Sequence, residues 1–243
     1  MSTDTLRLHQ YQVSPFAAKV RRALHYKEIP FEVVNYAAAD AGKIRKTISA
    51  SGKTPVLDDN GELVVDSTTI LRYLDKKYPT PAIIPADPVL RAHAHIIEDW
   101  ADESLFFYDL VMRGWPQNIE SLKRDVLSHD RGLALWFLQR LIPRFVQKTG
   151  QAQGIGRKDP ETICAEVAEH FDAIVDLLGE TDWILGESLS VADIAVASMC
   201  TVIERAEEAA AMMAQRPTLQ AWRERVDALT IPPGTAPEDR AIS

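Results

Sequence analysis

Cysteine is scarce in this chain. Only Cys164 and Cys200 occur among 243 residues, and no C-x-x-C pair is present. That excludes a disulfide framework or a cysteine metal site, and it suits a reducing compartment. Long apolar runs are missing too. None approaches the ~18–20 residues that span a bilayer, and Met1 to Thr5 is polar, without the apolar core of a signal peptide. A cytoplasmic protein with no membrane association is expected. Positive charge is in deficit: the formal net charge is −8, which speaks against a nucleic-acid groove or an anionic membrane surface. His93 and His95 lie two apart, on different sides of a helix, and make a poor metal pair. No metal site is expected. Internal repeats and low-complexity tracts are also absent.

What is present is an ordinary globular composition, 46% hydrophobic and 26% charged, in a chain long enough for one large or two small domains. Leu6 to Tyr11 alternates as a strand does. A helix follows, with Val20, Ala23 and Leu24 on its buried stripe and Lys19, Arg21 and Arg22 facing outward. Ile29-Pro30 stops that helix and Phe31 to Tyr36 reads as a second strand. Ala41 to Ser49 is a weak helix, and Ser67 to Tyr78 a clear one carrying Ile70, Leu71 and Leu74 on one face. Pro79, Pro81, Pro85 and Pro88 then mark a semi-rigid linker. Beyond it only helical periodicity remains, over 89–113, 119–128, 133–148, 160–178, 190–214 and 217–229. Residues 150–159 read as a glycine- and basic-rich loop. The expected organisation is an α+β domain at 1–79 in βαβαββα order, a linker at 80–88, an all-α domain at 89–231 and a loose tail at 232–243.

The chain is organised around Gly52-Lys53-Thr54-Pro55-Val56-Leu57 and the following Gly61-Glu62-Leu63-Val64-Val65-Asp66-Ser67. Asn60-Gly61 between two apolar runs is a strong hairpin signal, because both residues tolerate positive φ. Pro55 heads a strand, where it removes no needed donor, and is a natural cis-proline that turns the backbone of Thr54 toward a ligand. Asp66-Ser67 sets a carboxylate and a hydroxyl at a helix N-terminus, where backbone N–H groups point outward. Ser14-Pro15 forms a second such start, with serine as cap and proline as first helical residue. Each feature is also readable as plain capping. Among the acids, Glu98, Asp99, Asp102 and Glu103 read as a solvated face.

Four local matches carry a resemblance. Ser14-Pro15-Phe16 with Lys19-Val20-Arg21 is similar to the S-P-F-x-x-[KR]-V-R start of the serine-type classes of soluble glutathione transferases, such as the plant tau class. Lys53 to Leu57 resembles the cis-proline strand of that family, and Asp66-Ser67 stands in place of its usual acid-serine pair. Gly186-Glu187-Ser188-Leu189-Ser190-Val191-Ala192-Asp193 matches the start of its central helix. There Ser190 and Asp193 have capping-box spacing, and Leu189 can staple onto Ile194. Trp222, in a stretch like the family's terminal helix, reads as packing. The resemblance spans nearly the whole chain; residues 115–156 fit it least and suggest a helical insertion that reshapes the pocket or the dimer surface.

The resemblance implies a thioredoxin-like domain followed by a helical domain, and a cytosolic homodimer that binds glutathione. A free thiol of pKa near ~8.5 must be made more acidic by about two units, roughly 2.7 kcal/mol of thiolate stabilisation. A hydroxyl donor at Ser14 plus the N-terminus of the following helix is an adequate source. By resemblance, Asp66 and Ser67 hold the γ-glutamyl group, Thr54 pairs through its backbone with the cysteinyl part, next to Pro55, and Lys53 reaches the glycyl carboxylate. Tyr11 is an alternative thiol donor, and Asp99 an acid that could reach the partner subunit's glutamyl amine. Phe106, Phe107, Tyr108, Met112 and Trp115 would line a pocket for a small hydrophobic electrophile, or serve as core. Conjugation, a glutathione-dependent lyase, isomerase or dehalogenase, and a non-catalytic binding protein all remain open. Serine at position 14, where a glutaredoxin-type enzyme has cysteine, excludes a mixed disulfide there.

Overall fold

A computed structural model describes residues 5–235. Most of the expected tail, 236–243, and the polar start, 1–4, lie outside the described residues. The first strand, β1 (Leu6–Gln10), is central. It pairs in parallel with β2 (Phe31–Asn35), Leu8 opposite Val33, and antiparallel with β3 (Val56–Asp59), Leu8 opposite Leu57. The hairpin strand β4 (Glu62–Val65) completes the order β2-β1-β3-β4, with Leu57 opposite Val64. Asn60 and Gly61 take φ of 54° and 96°, the left-handed conformation that a two-residue hairpin turn requires.

Around the sheet stand α1 (Pro15–Tyr26), the short α2 (Ala41–Thr47) and α3 (Ser67–Lys77). Their order reproduces the expected βαβαββα unit, and the thioredoxin-like half is followed by an all-helical one. That half contains α4 (Pro88–Trp100), α5 (Phe106–Arg113), α6 (Ile119–Val126), α7 (Gly132–Gln153), α8 (Pro160–Leu178), α9 (Val191–Ile203), α10 (Glu207–Ala214) and α11 (Pro217–Thr230). Proline opens α1, α4, α8 and α11, and Asp87 and Asp159 cap α4 and α8 by accepting backbone N–H bonds, as helix starts favour.

Every residue of α9 is buried, as expected of a helix apolar all round. It packs against α1, α4, α5 and α11 and so joins the two halves. Its start is fixed by Asp193, wholly buried, whose carboxylate accepts bonds from Ser190 N, Ser190 Oγ, Ile184 N and Trp222 Nε1, all at 2.9 Å. Trp222 thus anchors this carboxylate in addition to packing.

Several local expectations are corrected. Lys19, Arg21 and Arg22 point inward, each at most 1% exposed. The Arg22 guanidinium pairs with Asp227 at 2.7 Å and donates to Thr201 and Thr230. The presumed solvated acidic face is split: Asp99 and Glu103 are exposed, while Glu98 and Asp102 are buried. The run 89–113 is interrupted by a π-helical turn, Ala101–Leu105, between α4 and α5. The run 190–214 breaks into α9 and α10, because Asn118 accepts from the Glu207 N–H and binds Glu208, capping a second helix there. The loop expected at 150–159 is replaced by the end of α7 and a short 3-10 turn, Ile155–Arg157. Gly150 allows this: a Cβ there would lie 2.7 Å from Val111 Cγ2, and Gly156 packs on the Gly150 backbone.

Candidate functional site

The end of β1 leads into a tight bend in which Ser14 N donates to Tyr11 O at 3.1 Å. Ser14 then caps α1, and Ala17 N reaches its Oγ at 3.4 Å, a long and weak bond. A hydroxyl has one proton to donate and two lone pairs. Among the described residues no protein group accepts the Ser14 proton, and the side chain is only half-buried. The first turn of α1 holds no acidic residue, so the positive end of its dipole is not neutralised by the chain itself. A hydroxyl donor beside an uncompensated helix N-terminus suits an anion.

The loop before β3 is tied to the same bend. Tyr11 N donates to Thr54 Oγ1 at 3.2 Å, and Thr54–Pro55 is cis with Pro55 buried. Lys53 is exposed, and its backbone N–H is used by Ser51 Oγ. Asp66 caps α3 through Oδ1, which accepts from Thr69 N at 3.0 Å, and it takes φ of 82°. Positive φ in a residue other than glycine costs about 1–2 kcal/mol. Here it leaves the Asp66 side chain exposed while Ser67 is buried. The first turn of α3 is also free of acids.

Beneath these two helix starts lies a cluster that the linear pattern did not suggest. Lys19, one turn into α1 and fully buried, donates to Glu98 Oε1 at 2.9 Å, to Asp102 Oδ2 and to Thr68 Oγ1 at 3.2 Å. Thr68 also donates to Glu98 at 2.9 Å. Thr68 follows the Asp66-Ser67 pair directly, so one ammonium links α1, the start of α3 and the helical half. Burial pushes the Asp102 carboxyl up to about 6, against the opposing pull of Lys19, and Glu98 and Asp66 add to the rise. A local signal did exist. Glu98 and Asp102 are four apart, hence on one helix face, and one lysine can serve both.

The aromatic residues expected to line a pocket are divided. Phe106 is half-buried and stacks on Phe16 with ring centroids 4.9 Å apart, and Phe107 lies 5.3 Å from Phe106. Phe16 follows Ser14-Pro15, so this pair continues the α1 start into the helical half. Trp115 is also half-buried. Met112 is fully buried and Tyr108 nearly so. Tyr108 donates to Glu166 at 2.9 Å, and burial with that bond pushes its phenol up to about 12. Both belong to the core. Tyr11 is half-buried, and its phenol is raised by burial and by Asp40 and Asp130, which keeps it protonated. Asp130 itself reaches across from the α6–α7 loop and accepts from Ala38 N at 2.9 Å and Ala39 N at 3.0 Å. Asp99 is exposed on α4, as is His95, which lies against the Arg72 guanidinium. No helix among the described residues is long and apolar enough to cross a membrane.

Comparison with known proteins places this arrangement in one family. Residues 8–82 match the model of the glutathione S-transferase N-terminal domain, and residues 161–225 match that of its C-terminal domain. A probable maleylacetoacetate isomerase of Caenorhabditis elegans is 31% identical over 99 residues, 40% of this chain and 46% of that protein. Glutathione S-transferase U6 of Arabidopsis thaliana is 30% identical over 103 residues, 42% of this chain and 46% of that one. The chain thus spans less than half the length of these two relatives. A glutathione S-transferase of Methylobacterium radiotolerans, solved in complex with glutathione sulfonate, superposes with a TM-score of 0.61 at 25% identity, over 96% of this chain and 97% of that one. The chain belongs to the glutathione S-transferase family.

Proposed function

We propose that this protein binds glutathione across the starts of α1 and α3 and conjugates it, as thiolate, to a small hydrophobic electrophile. The observation that carries this reading is the Ser14 hydroxyl, whose proton no described protein group takes, set at an α1 N-terminus without a neutralising acid. Glutathione supplies the nucleophilic sulfur. Ser14 holds a proton toward that sulfur and favours its ionised form; it does not attack. The glutathione sulfonate bound to the Methylobacterium relative supports an anion-accepting site on this fold.

The remaining residues orient. Asp66, exposed and turned out by its positive φ, holds the γ-glutamyl ammonium, with Ser67 beside it. The backbone of Thr54, before Pro55, pairs with the cysteinyl portion, and Lys53 neutralises the glycyl carboxylate. Lys19 acts through others: by clamping Thr68, Glu98 and Asp102 it keeps the start of α3 in register with the start of α1. Phe106, with Phe16, and Trp115 offer the apolar wall for the second substrate. Residues 1–79 then serve glutathione and 89–231 the electrophile, in a homodimer.

The isomerase relative favours a second reading, in which glutathione is returned unchanged after each turnover. Turnover assays separate the two. With an activated aryl halide, conjugation consumes one glutathione per product, and Ser14→Ala should lose about 10²-fold or more in kcat/KM. With a conjugated cis-enone diacid, an isomerase gives the trans product without net loss of thiol. Failure of both, with glutathione binding intact, removes the catalytic reading and leaves a binding protein.

A further inference from the structure

Helix α7 lies within the span between the two family models, 83–160. Its inner side packs on α5, with Val146 against Gly114 at the end of that helix and Gly150 against Val111, and it also touches α6. Its outer side is unusual for a solvated helix. Leu133, Phe137, Leu141 and Phe145 recur every fourth residue and are 85%, 60%, 45% and 66% exposed. They form one continuous ridge about 18 Å long at 1.5 Å per residue. A parallel ridge beside it carries Trp136, Arg140, Arg144 and Lys148, also four apart. The Arg140 guanidinium stacks 3.7 Å over the half-exposed Trp136 ring.

We propose that α7 is a docking surface for an acidic amphipathic helix of a protein partner, one whose apolar ridge lies on Leu133–Phe145 and whose flanking carboxylates meet Arg140, Arg144 and Lys148. The five exposed apolar side chains offer about 600 Å² at roughly 200 Å² each. That reaches the upper end for the largest apolar patch of a monomer and approaches one partner's share of a small specific interface. Ridges with four-residue spacing are those that interdigitate in the commonest class of helix packing. Charge selects the occupant. α7 contains no Asp or Glu among its 22 residues, and among the described residues no ion pair engages Arg140, Arg144 or Lys148, in a protein whose net charge is −8. A second α7 would bring the same cations and no carboxylate. An anionic bilayer would attract this one helix but repel the acidic remainder within a Debye length of about 8–10 Å.

The test uses the full-length protein and a fluorescent synthetic helical peptide with leucine every fourth residue and glutamates on either side. A second peptide carries lysines in place of the glutamates, and vesicles of phosphatidylcholine with phosphatidylglycerol form a third probe. The glutamate peptide is expected to bind, more weakly as salt rises, and at least about tenfold tighter than the lysine peptide. Phe137→Ser should weaken it about thirtyfold, the loss typical of an interface aromatic anchor. The double variant Arg140→Glu with Arg144→Glu should reverse the preference between the peptides. All these side chains are exposed, and unchanged circular dichroism and melting will show that the variants fold. Equal binding of both peptides, no binding of either, or binding of vesicles instead overturns the proposal. So does a dimer in sedimentation that Phe137→Ser dissociates, because the face would then belong to a second copy.

Discussion

Replacing Lys19 by methionine probes the connection between the two halves most sharply. Lys19→Met removes a fully buried ammonium from Glu98 and Asp102, which are 4% and 9% exposed. Breaking a buried pair by deleting one partner costs about 3–5 kcal/mol when the remaining charge stays ionised. Here the cost depends on pH. In the wild type Asp102 is raised from 3.8 to about 6, so the folded state holds this proton more tightly than the unfolded state. Its contribution to stability is fully present below about pH 4 and is lost as pH rises through about 6, a swing of about 3 kcal/mol at 1.36 kcal/mol per unit. Without Lys19 the carboxyl rises further and the declining limb extends to higher pH. Urea unfolding of both proteins from pH 5 to pH 8 should therefore show a gap of about 3–5 kcal/mol at pH 8 that narrows toward pH 5. Adding Glu98→Gln and Asp102→Asn should recover much of the loss, since no buried charge is then left uncompensated. A gap that is independent of pH, or below about 1 kcal/mol throughout, would refute the reasoning.

Asp193→Ala should deprive the donors Ile184 N, Ser190 N and Trp222 Nε1 of their acceptor; at about 1–3 kcal/mol each, little folded protein should be recovered, while Asp193→Asn should retain part of the stability in thermal melts. Asp66→Gly relieves positive φ and should leave the melting temperature within a few degrees of wild type, yet weaken glutathione binding about tenfold by calorimetry; unchanged binding would remove Asp66 from the site. Asp130→Ala should leave the Ala38 and Ala39 N–H groups unpaired and speed their hydrogen exchange, at a cost of about 1–3 kcal/mol; unchanged exchange would mean that the α6–α7 loop does not hold this edge. Burial pushes the Cys200 thiol up to about 12, so in the native protein an aromatic disulfide reagent should titrate Cys164 alone, with Cys200 reacting only after unfolding.

The chain's local chemistry made the thioredoxin-like half readable. Asn60-Gly61, the prolines at helix starts and the apolar stripe Ile70-Leu71-Leu74 each act within a few residues of where they sit. What could not be read depends on partners far along the chain. Lys19, Arg21 and Arg22 look like a solvated face until Glu98, Asp102, Thr201, Asp227 and Thr230 are brought against Lys19 and Arg22, and Gln10 against Arg21. The break before α10 depends on Asn118, 89 residues earlier in the chain. The end of α7 depends on the absence of a side chain at Gly150, which matters only because Val111 fills that space. For the site, the caps Ser14 and Asp66 were legible because capping and anion binding use the same backbone groups. The division of the aromatics was not. Helical spacing puts Tyr108 and Met112 on one face and Phe106 on another, but it does not say which face turns inward; Met112 is buried and Phe106 is half-buried.

The central claim is that Ser14 at the start of α1 makes a bound thiol acidic, and ultraviolet thiolate absorbance during a glutathione titration tests it most directly. At neutral pH the wild type should develop the thiolate band as glutathione binds. Ser14→Ala should bind glutathione with similar affinity and develop the band only at a pH higher by about one to two units, the loss of a charge-assisted hydrogen bond worth about 1.5–3 kcal/mol. A band of equal size at neutral pH in the variant would contradict the account, as would a wild type that binds glutathione and shows no thiolate.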